Sequence, residues 1–516
     1  MKKTKFKNYL DYIYIFLIGL ITSFSLPPYN YWYLNFLTFS LFFILLFKRR
    51  DKKIVFFALC GYFFGFGYFL SSLYWIPISL TFDKNFETLV PFAIILIPAF
   101  LSLFYAFALA LFRMFFIHNS LFSNILIFSL MFSIFEYLRG NIFSGFPWNL
   151  FAYSLSENLN IIQINSLIGV YAFNMIIITI FSSPSIIYLS RTKKNLLGFS
   201  LILVTFISFF AYGFYKKNSF HNLNDQTLSA NIKVLSTNIP IERFYSNLDA
   251  EQILIKLIKL SEPTLNEHTI FIWPEGVIPN TNLKKLNIEY DYLFANSFKE
   301  NHTIILGVND DNLIDGEKKY YNSLSAIDNK TNVLFKYYKN QLVPFGEFIP
   351  FENLLSKIGL RSLTNNYQSY SFSKTRNLFN FKYDTKITIL PLICYEIIYS
   401  GKLSDKKDYN FIVNISEDGW FGNSIGPFQH FAHTIFRSIE YGKYTLRSAN
   451  NGISAIVDPT GTIIDKIDID KEGFISIKQI KELDRTLFFE FGNKIYFLII
   501  LLYIFLIFSF KKSENE

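Results

Sequence analysis

A multispan α-helical membrane domain joined to a single soluble α/β domain is the fold class this sequence predicts, on three observations. Of its 516 residues 51% are hydrophobic and 19% aromatic, with 62 Phe and a mean hydropathy of +0.27, a composition suited to lipid rather than to water. Several apolar runs are long enough to cross a hydrocarbon core of about 30 Å. Between Tyr215 and Lys481 no such run occurs, and short apolar stretches alternate with Asn, Asp, Lys and Gly; this interval of roughly 270 residues can bury a core of its own.

The apolar runs lie near residues 9–26, 31–47, 54–80, 89–112, 121–137, 161–189 and 196–215, with an eighth over 495–510. They predict a membrane domain of seven transmembrane helices over 1–215, a soluble domain over 216–490, and a last transmembrane helix with a short tail over 491–516. Basic residues orient the array, because Lys and Arg at span ends are retained in the cytoplasm. Lys2, Lys3, Lys5 and Lys7 precede the first run; Lys48, Arg49, Arg50, Lys52 and Lys53 follow the second; Arg113 follows the fourth; Arg191, Lys193 and Lys194 follow the sixth; Lys511 and Lys512 follow the eighth. All fall on one side, so the soluble domain is expected to face the exterior or the periplasm. The net charge of +9 is then a topological signal, and no nucleic-acid partner is expected, since the basic residues lie between spans rather than on a folded surface.

The first run has a basic start and a small-x-small site at Ser23-Phe24-Ser25, the outline of a signal peptide. Cleavage is not expected, because losing one span would invert the charge bias of every later loop. Cys60 falls in the third run and Cys394 in the soluble interval; no disulfide is expected, and Cys394 reads as a free thiol.

In the soluble interval, Asn231–Ser236 reads as a strand, Leu248–Leu260 as a helix and His268–Trp273 as a second strand, ending at Pro274-Glu275. Further strands follow at 303–307, 321–327, 333–336, 387–393, 411–415 and 452–457, which indicates a layered α/β domain. Functional groups in open α/β sheets gather beyond the carboxyl ends of strands. Glu275 and Cys394 both stand there.

By its residue type alone Cys394 is a small buried hydrophobe closing a core strand, or it is a nucleophile. The acid at Glu275 and the lysine at Lys339 favour the second. A thiol must lose its proton to attack, and a carboxylate can take it; Glu275 suits that role. Attack on an acyl carbonyl creates an oxyanion that an ammonium can stabilise; Lys339 suits that one. Glu347 is a candidate second acid to hold the lysine, and Glu396 stands beside the thiol in sequence; either is alternatively a salt-bridging surface carboxylate.

These residues, in this order, closely resemble the apolipoprotein N-acyltransferase family, bacterial membrane enzymes with a nitrilase-like domain. The resemblance is carried by Trp273-Pro-Glu-Gly276, Lys339 to Glu347, Ile393-Cys-Tyr-Glu396, Asp418-Gly-Trp-Phe-Gly422, Gly426 to His430, Leu446 to Gly452 and Gly140 to Trp148. It implies an αββα sandwich, with Glu275 as base, Lys339 as stabilising lysine, Cys394 as nucleophile, and Glu347, Tyr395 and Glu396 in support. It further implies that Cys394 takes an acyl chain from a phospholipid as a thioester and passes it to the α-amine of diacylglyceryl-cysteine in an apolipoprotein, without a cofactor. The chain departs from the family where an active-site tryptophan is expected after the first soluble strand: it has Phe244 and Tyr245 there. These two, with Trp420 and Arg139, are the substrate-binding candidates.

Other features have plainer readings. His430 and His433 stand i, i+3, but no third ligand has a suitable spacing and no metal is expected. Arg437, Arg447 and the Asn450-Asn451-Gly452 turn either shape the pocket or serve the fold. Glu136 and Arg139, near the outer end of the fifth run, either bind a lipid head group or pair with each other. Stripes such as Phe63-Phe64-Gly65-Phe66 face lipid or pack between helices. Two rival functions remain: a membrane-tethered amidase using the same triad with water as acceptor, and a lipid transporter without catalysis. A soluble-substrate hydrolase needs only one anchor, and the spans carry few charges and no interrupted repeat of the kind transporters use.

Overall fold

The computed structural model describes residues 2–118, 120–245, 248–264, 266–314, 316–350, 369–381, 387–403 and 408–512; the end of the tail, 513–516, lies outside them. The chain divides into two compact units, one of Met1–Pro77, Leu89–Asn218 and Thr486–Glu516, the other of Ile78–Thr88 and Ser219–Arg485. The short segment Ile78–Thr88, between two helices of the first unit, thus belongs with the second.

The first unit is helical. Among the described residues six helices are long and apolar enough to cross a membrane: Ile54–Ser72, Glu87–Met114, Leu121–Arg139, Asn165–Leu189, Lys193–His221 and Lys494–Lys511. Two shorter apolar helices span Tyr9–Ser25 and Leu34–Lys48. In lipid the hydrophobic effect does not hold helices together, so close packing must. A Cβ on Gly19 would stand 2.1 Å from the Phe64 carbonyl oxygen, and one on Gly67 would stand 2.2 Å from that of Phe16; glycine at both places lets the two helices touch backbone to backbone. The Phe stripes are interhelical packing as much as lipid-facing surface: Phe64 is fully buried and stacks on Phe42 at 4.5 Å, while Phe63 stacks on Tyr12 at 5.3 Å. The run 54–80 ends as a helix at Ser72 and continues as a 3₁₀ turn over Ile76–Phe82, where Pro77 removes a backbone donor.

Among the described residues the second unit holds twelve strands: β1 (Gln226–Ser236), β2 (Thr269–Ile272), β3 (His302–Ile314), β4 (Glu317–Ile327), β5 (Val333–Tyr338), β6 (Phe379–Asn380), β7 (Thr388–Ile393), β8 (Phe411–Glu417), β9 (Tyr444–Asn450), β10 (Ser454–Val457), β11 (Ile463–Ile467) and β12 (Gly473–Ile480). They form two six-stranded sheets, ordered β12-β1-β2-β3-β4-β5 and β11-β10-β9-β8-β7-β6. The centre of each is parallel, β1-β2-β3 in one and β7-β8-β9 in the other, with antiparallel flanks. Parallel strands need crossovers, and these supply the outer layers: Ala250–Ser261, Leu283–Glu289 and Asp291–Ser297 on the first sheet, Gly426–Tyr441 on the second. Under the first three helices lies a core of Leu254, Leu257, Phe271, Trp273, Phe294, Phe298 and Ile304, none more than 1% exposed. The sheets are stitched face to face by the Ser448 hydroxyl, which donates to the carbonyls of Leu235 at 2.7 Å and Ile272 at 3.1 Å. This is the αββα sandwich.

Candidate active site

Both sheets deliver residues to one buried site at the carboxyl ends of their strands. Glu275 lies just past β2, Lys339 is the residue after β5, and Cys394 the residue after β7; they are 7%, 1% and 9% exposed. The loop bearing Glu275 passes so close to β3 that a Cβ on Gly307 would stand 2.5 Å from the Glu275 Cα, which only glycine avoids. Cys394 has φ of +48°, a left-handed backbone that non-glycine residues adopt at an energetic cost and that clusters at functional sites. It marks a sharp turn from β7 into the 3₁₀ segment Cys394–Ile398.

Lys339 Nζ lies 3.3 Å from Glu275 Oε1 and 2.9 Å from Glu347 Oε1. Asn322 on β4 donates to the same two oxygens, at 2.7 and 2.8 Å. The other oxygen of Glu275 accepts the Glu417 N–H at 3.0 Å, and that of Glu347 accepts the Val343 N–H at 2.9 Å. Each carboxylate is therefore fixed in direction from two sides. Burial alone would lower the Lys339 pKa, but Glu275, Glu347 and Cys394 outweigh it and hold the group well above its ordinary value, so it remains an ammonium. Burial, then the charge of Glu275, pushes the Cys394 thiol up, and Lys339 only partly offsets them. The resting sulfur is thus protonated and needs a base at the moment of attack.

Tyr395 and Glu396 serve the turn. The Glu396 carboxylate accepts the Ile393 N–H at 2.8 Å, the Tyr337 hydroxyl at 2.6 Å, the Asn340 N–H at 2.9 Å and Arg376 at 2.8 Å. It is a latch on the elbow, not an exposed acid. The Tyr395 ring packs edge-on against Tyr399 at 5.3 Å.

The aromatic candidates come together. Phe244 stacks on Trp420 at 5.2 Å and 18°, and Tyr245 meets Trp420 edge-on at 6.4 Å. Phe82, from the Ile78–Thr88 segment, closes on the same indole at 6.0 Å. A Cβ on Gly276 would meet the Phe244 ring at 3.4 Å, so this cluster borders the residue next to Glu275. Arg243 holds it there, donating to the Gly276 carbonyl at 2.9 Å and pairing with the buried carboxylate of Glu417.

Arg139 lies in the other unit and is turned inward, 2% exposed. Its Nε donates to Glu136 at 2.8 Å, and its remaining donors reach the carbonyls of Phe146 and Asn149. Of the two readings, the arrangement is the mutual ion pair. His430 and His433 are both buried, and among the described residues no group of His, Cys, Asp or Glu is placed to hold a metal ion. Asn322, Glu417 and Arg243 escaped the sequence reading. Glu417 had a signal: an acid two residues after the mostly apolar strand run Phe411 to Ile415 is seldom left unpaired when buried.

Comparisons with known proteins agree with this architecture part by part. Residues 18–182 match the family model described as the apolipoprotein N-acyltransferase N-terminal domain, and residues 237–485 match that of carbon-nitrogen hydrolase. Apolipoprotein N-acyltransferase of Rhodopseudomonas palustris is 32% identical over 482 residues, covering 89% of this chain and 87% of the relative. That of Rickettsia prowazekii is 33% identical over 504 residues, covering 94% and 95%. Among solved structures the chain is similar to Saccharomyces cerevisiae Nit3, a member of the nitrilase superfamily, with a TM-score of 0.34 and 15% identity over 49% of this chain and 90% of that one. With relatives matched across both units and nearly end to end, the chain belongs to the apolipoprotein N-acyltransferase family.

Proposed function

We propose that this multi-pass membrane enzyme takes an acyl chain from a phospholipid onto Cys394 and transfers it to the N-terminal amine of diacylglyceryl-cysteine in apolipoproteins. The observation that carries the reading is the buried set of Glu275, Lys339 and Cys394, with the lysine ammonium electrostatically coupled to both partners. In the first half-reaction Glu275 takes the thiol proton as sulfur attacks the ester carbonyl. Lys339 stabilises the oxyanion. The C–O bond then breaks, the departing alkoxide regains the proton from Glu275, and a lysophospholipid leaves. In the second, the amine attacks the thioester, its proton passes to Glu275 and on to the sulfur, the C–S bond breaks and an amide forms. Phe244, Tyr245 and Trp420 offer an apolar wall beside the reacting groups.

Seven spans before the catalytic domain and one after it fix that domain to the membrane that holds both substrates. Drawing a free acyl chain into water costs about 0.8 kcal/mol per CH₂, which this tethering avoids. The burial of all three residues favours an amine over bulk water as acceptor. The isolated acyl-enzyme is accordingly expected to persist in water and to discharge rapidly when a diacylglyceryl-cysteine peptide with a free amine is added, the acyl group appearing as an amide. Release of free fatty acid at a rate indifferent to the peptide would favour the amidase reading.

The basic clusters beside the spans support a periplasmic position for the catalytic domain. A membrane-impermeant thiol label applied to intact spheroplasts is expected to reach a cysteine introduced at the exposed Lys330 but not one at Lys52. Reversed labelling would overturn the compartment.

A further inference from the structure

The carbonyl of the nucleophile's own peptide is held by a polar network that the acid, lysine and thiol do not use. Asn414, fully buried on β8, donates to the Cys394 carbonyl at 3.3 Å, and His430 is fully buried nearby on the helix Gly426–Tyr441. Both are braced from behind. Arg447 on β9 donates to Asn414 Oδ1, to Asp418 Oδ2 at 2.7 Å and to the Ile453 carbonyl at 3.2 Å. Asp418 Oδ1 in turn lies 3.0 Å from His430 Nδ1 and accepts the Ser416 hydroxyl at 2.7 Å. Four side chains with no measurable exposure thus form the network behind one carbonyl oxygen.

A trans peptide is planar, with its C=O and N–H pointing in opposite directions. Holding the Cys394 oxygen therefore fixes where the Tyr395 N–H points, and it does so at a turn whose left-handed φ gives the backbone reason to relax. Glu396 grips the Ile393 N–H on the near side of Cys394; Asn414 grips the far side. We propose that Asn414, held by Arg447 with the Asp418–His430 pair behind it, is a positioning residue that orients the Cys394–Tyr395 peptide for acyl transfer. The proposal rests on Cys394 being the nucleophile. It assigns this network to the geometry around the developing oxyanion rather than to the reactivity of the sulfur.

The test separates those two. Asn414→Asp keeps an acceptor for Arg447 but cannot donate to the Cys394 carbonyl. In the full-length enzyme it is expected to slow single-turnover acylation at least about tenfold, while the phospholipid KM and the rate of Cys394 alkylation by iodoacetamide stay within about twofold of the parent. His430→Gln, which can still pair with Asp418, should be faster than His430→Phe. Acylation by Asn414→Asp within about twofold of the parent, or a parallel loss of acylation and alkylation, would overturn the proposal, and equal rates for the two His430 variants would remove the Asp418–His430 pair from it. Peptide mapping of the acylated parent distinguishes the underlying reading: a label away from Cys394 rejects the nucleophile itself, whereas a label on Cys394 with an unimpaired Asn414→Asp rejects only the positioning role.

Discussion

Cys394→Ala is expected to carry no acyl chain after incubation with phospholipid, whereas the parent gains the mass of one acyl group that neutral hydroxylamine removes. The expectation follows from a thiol at a strand end, on a backbone with φ of +48°, under the electrostatic influence of Glu275 and Lys339. Cys394→Ser should be nearly as inactive. A hydroxyl is far harder to deprotonate than a thiol, and even the thiol here is pushed above its usual value by burial and Glu275. Intact mass spectrometry reads all three proteins, and a label retained by the alanine variant would place the nucleophile elsewhere.

Lys339→Met and Glu275→Gln are each expected to slow thioester formation by roughly 10² to 10³, the loss typical of removing one oxyanion donor or one general base. Alkylation of Cys394 should distinguish them, because the signs of their effects on the thiol are opposite. Glu275 raises the thiol's pKa and Lys339 lowers it. Without the carboxylate the thiolate population at neutral pH grows, so Glu275→Gln should alkylate faster than the parent while acylating slower. Without the ammonium that population shrinks, and Lys339→Met leaves Glu275 and Glu347 facing each other across a dry gap, so both rates should fall. Equal alkylation by the two variants would refute this division of labour.

What could be seen in the sequence was whatever depends on chain-local pattern. Glu275 and Cys394 end apolar runs, and their strands indeed stop within three residues of them. Glu347 eight residues beyond Lys339 lay within reach of the same loop, and the two pair at 2.9 Å. Roles set by direction rather than proximity were not visible. Glu396 is two residues from the thiol, yet the 3₁₀ turn carries its carboxylate round to the Ile393 N–H and Arg376. Asn322 was one asparagine in a chain full of them, and only the register of β4 against β5, which sets Ser323 opposite Tyr338, brings it beside Lys339. Strand β11 was missed because Ile463 and Ile464 are themselves exposed beside Asp465 and Lys466, and β12 because it buries only Ile475, Ile477 and Ile480 among exposed Ser476, Lys478 and Gln479 at the sheet edge, too short a signal to separate from loop.

The pairing of β1 with β12, from Ile232 opposite Ile477 to Ser236 opposite Gly473, also governs the order of biogenesis. The first strand of the domain to leave the ribosome has the last one as its outer neighbour. Until residues 473–480 are synthesised, β1 presents a row of unpaired N–H and C=O groups, a template for wrong partners. Its inner neighbour β2 offers no early relief, since their parallel pairing must wait for the crossover helix Ala250–Ser261. The nascent domain is therefore an open-edged intermediate for nearly the whole of its translation, and the residues that finally seal it are those leading into the last apolar helix, so that completion of the sheet and arrival of the final membrane segment are events of the same moment.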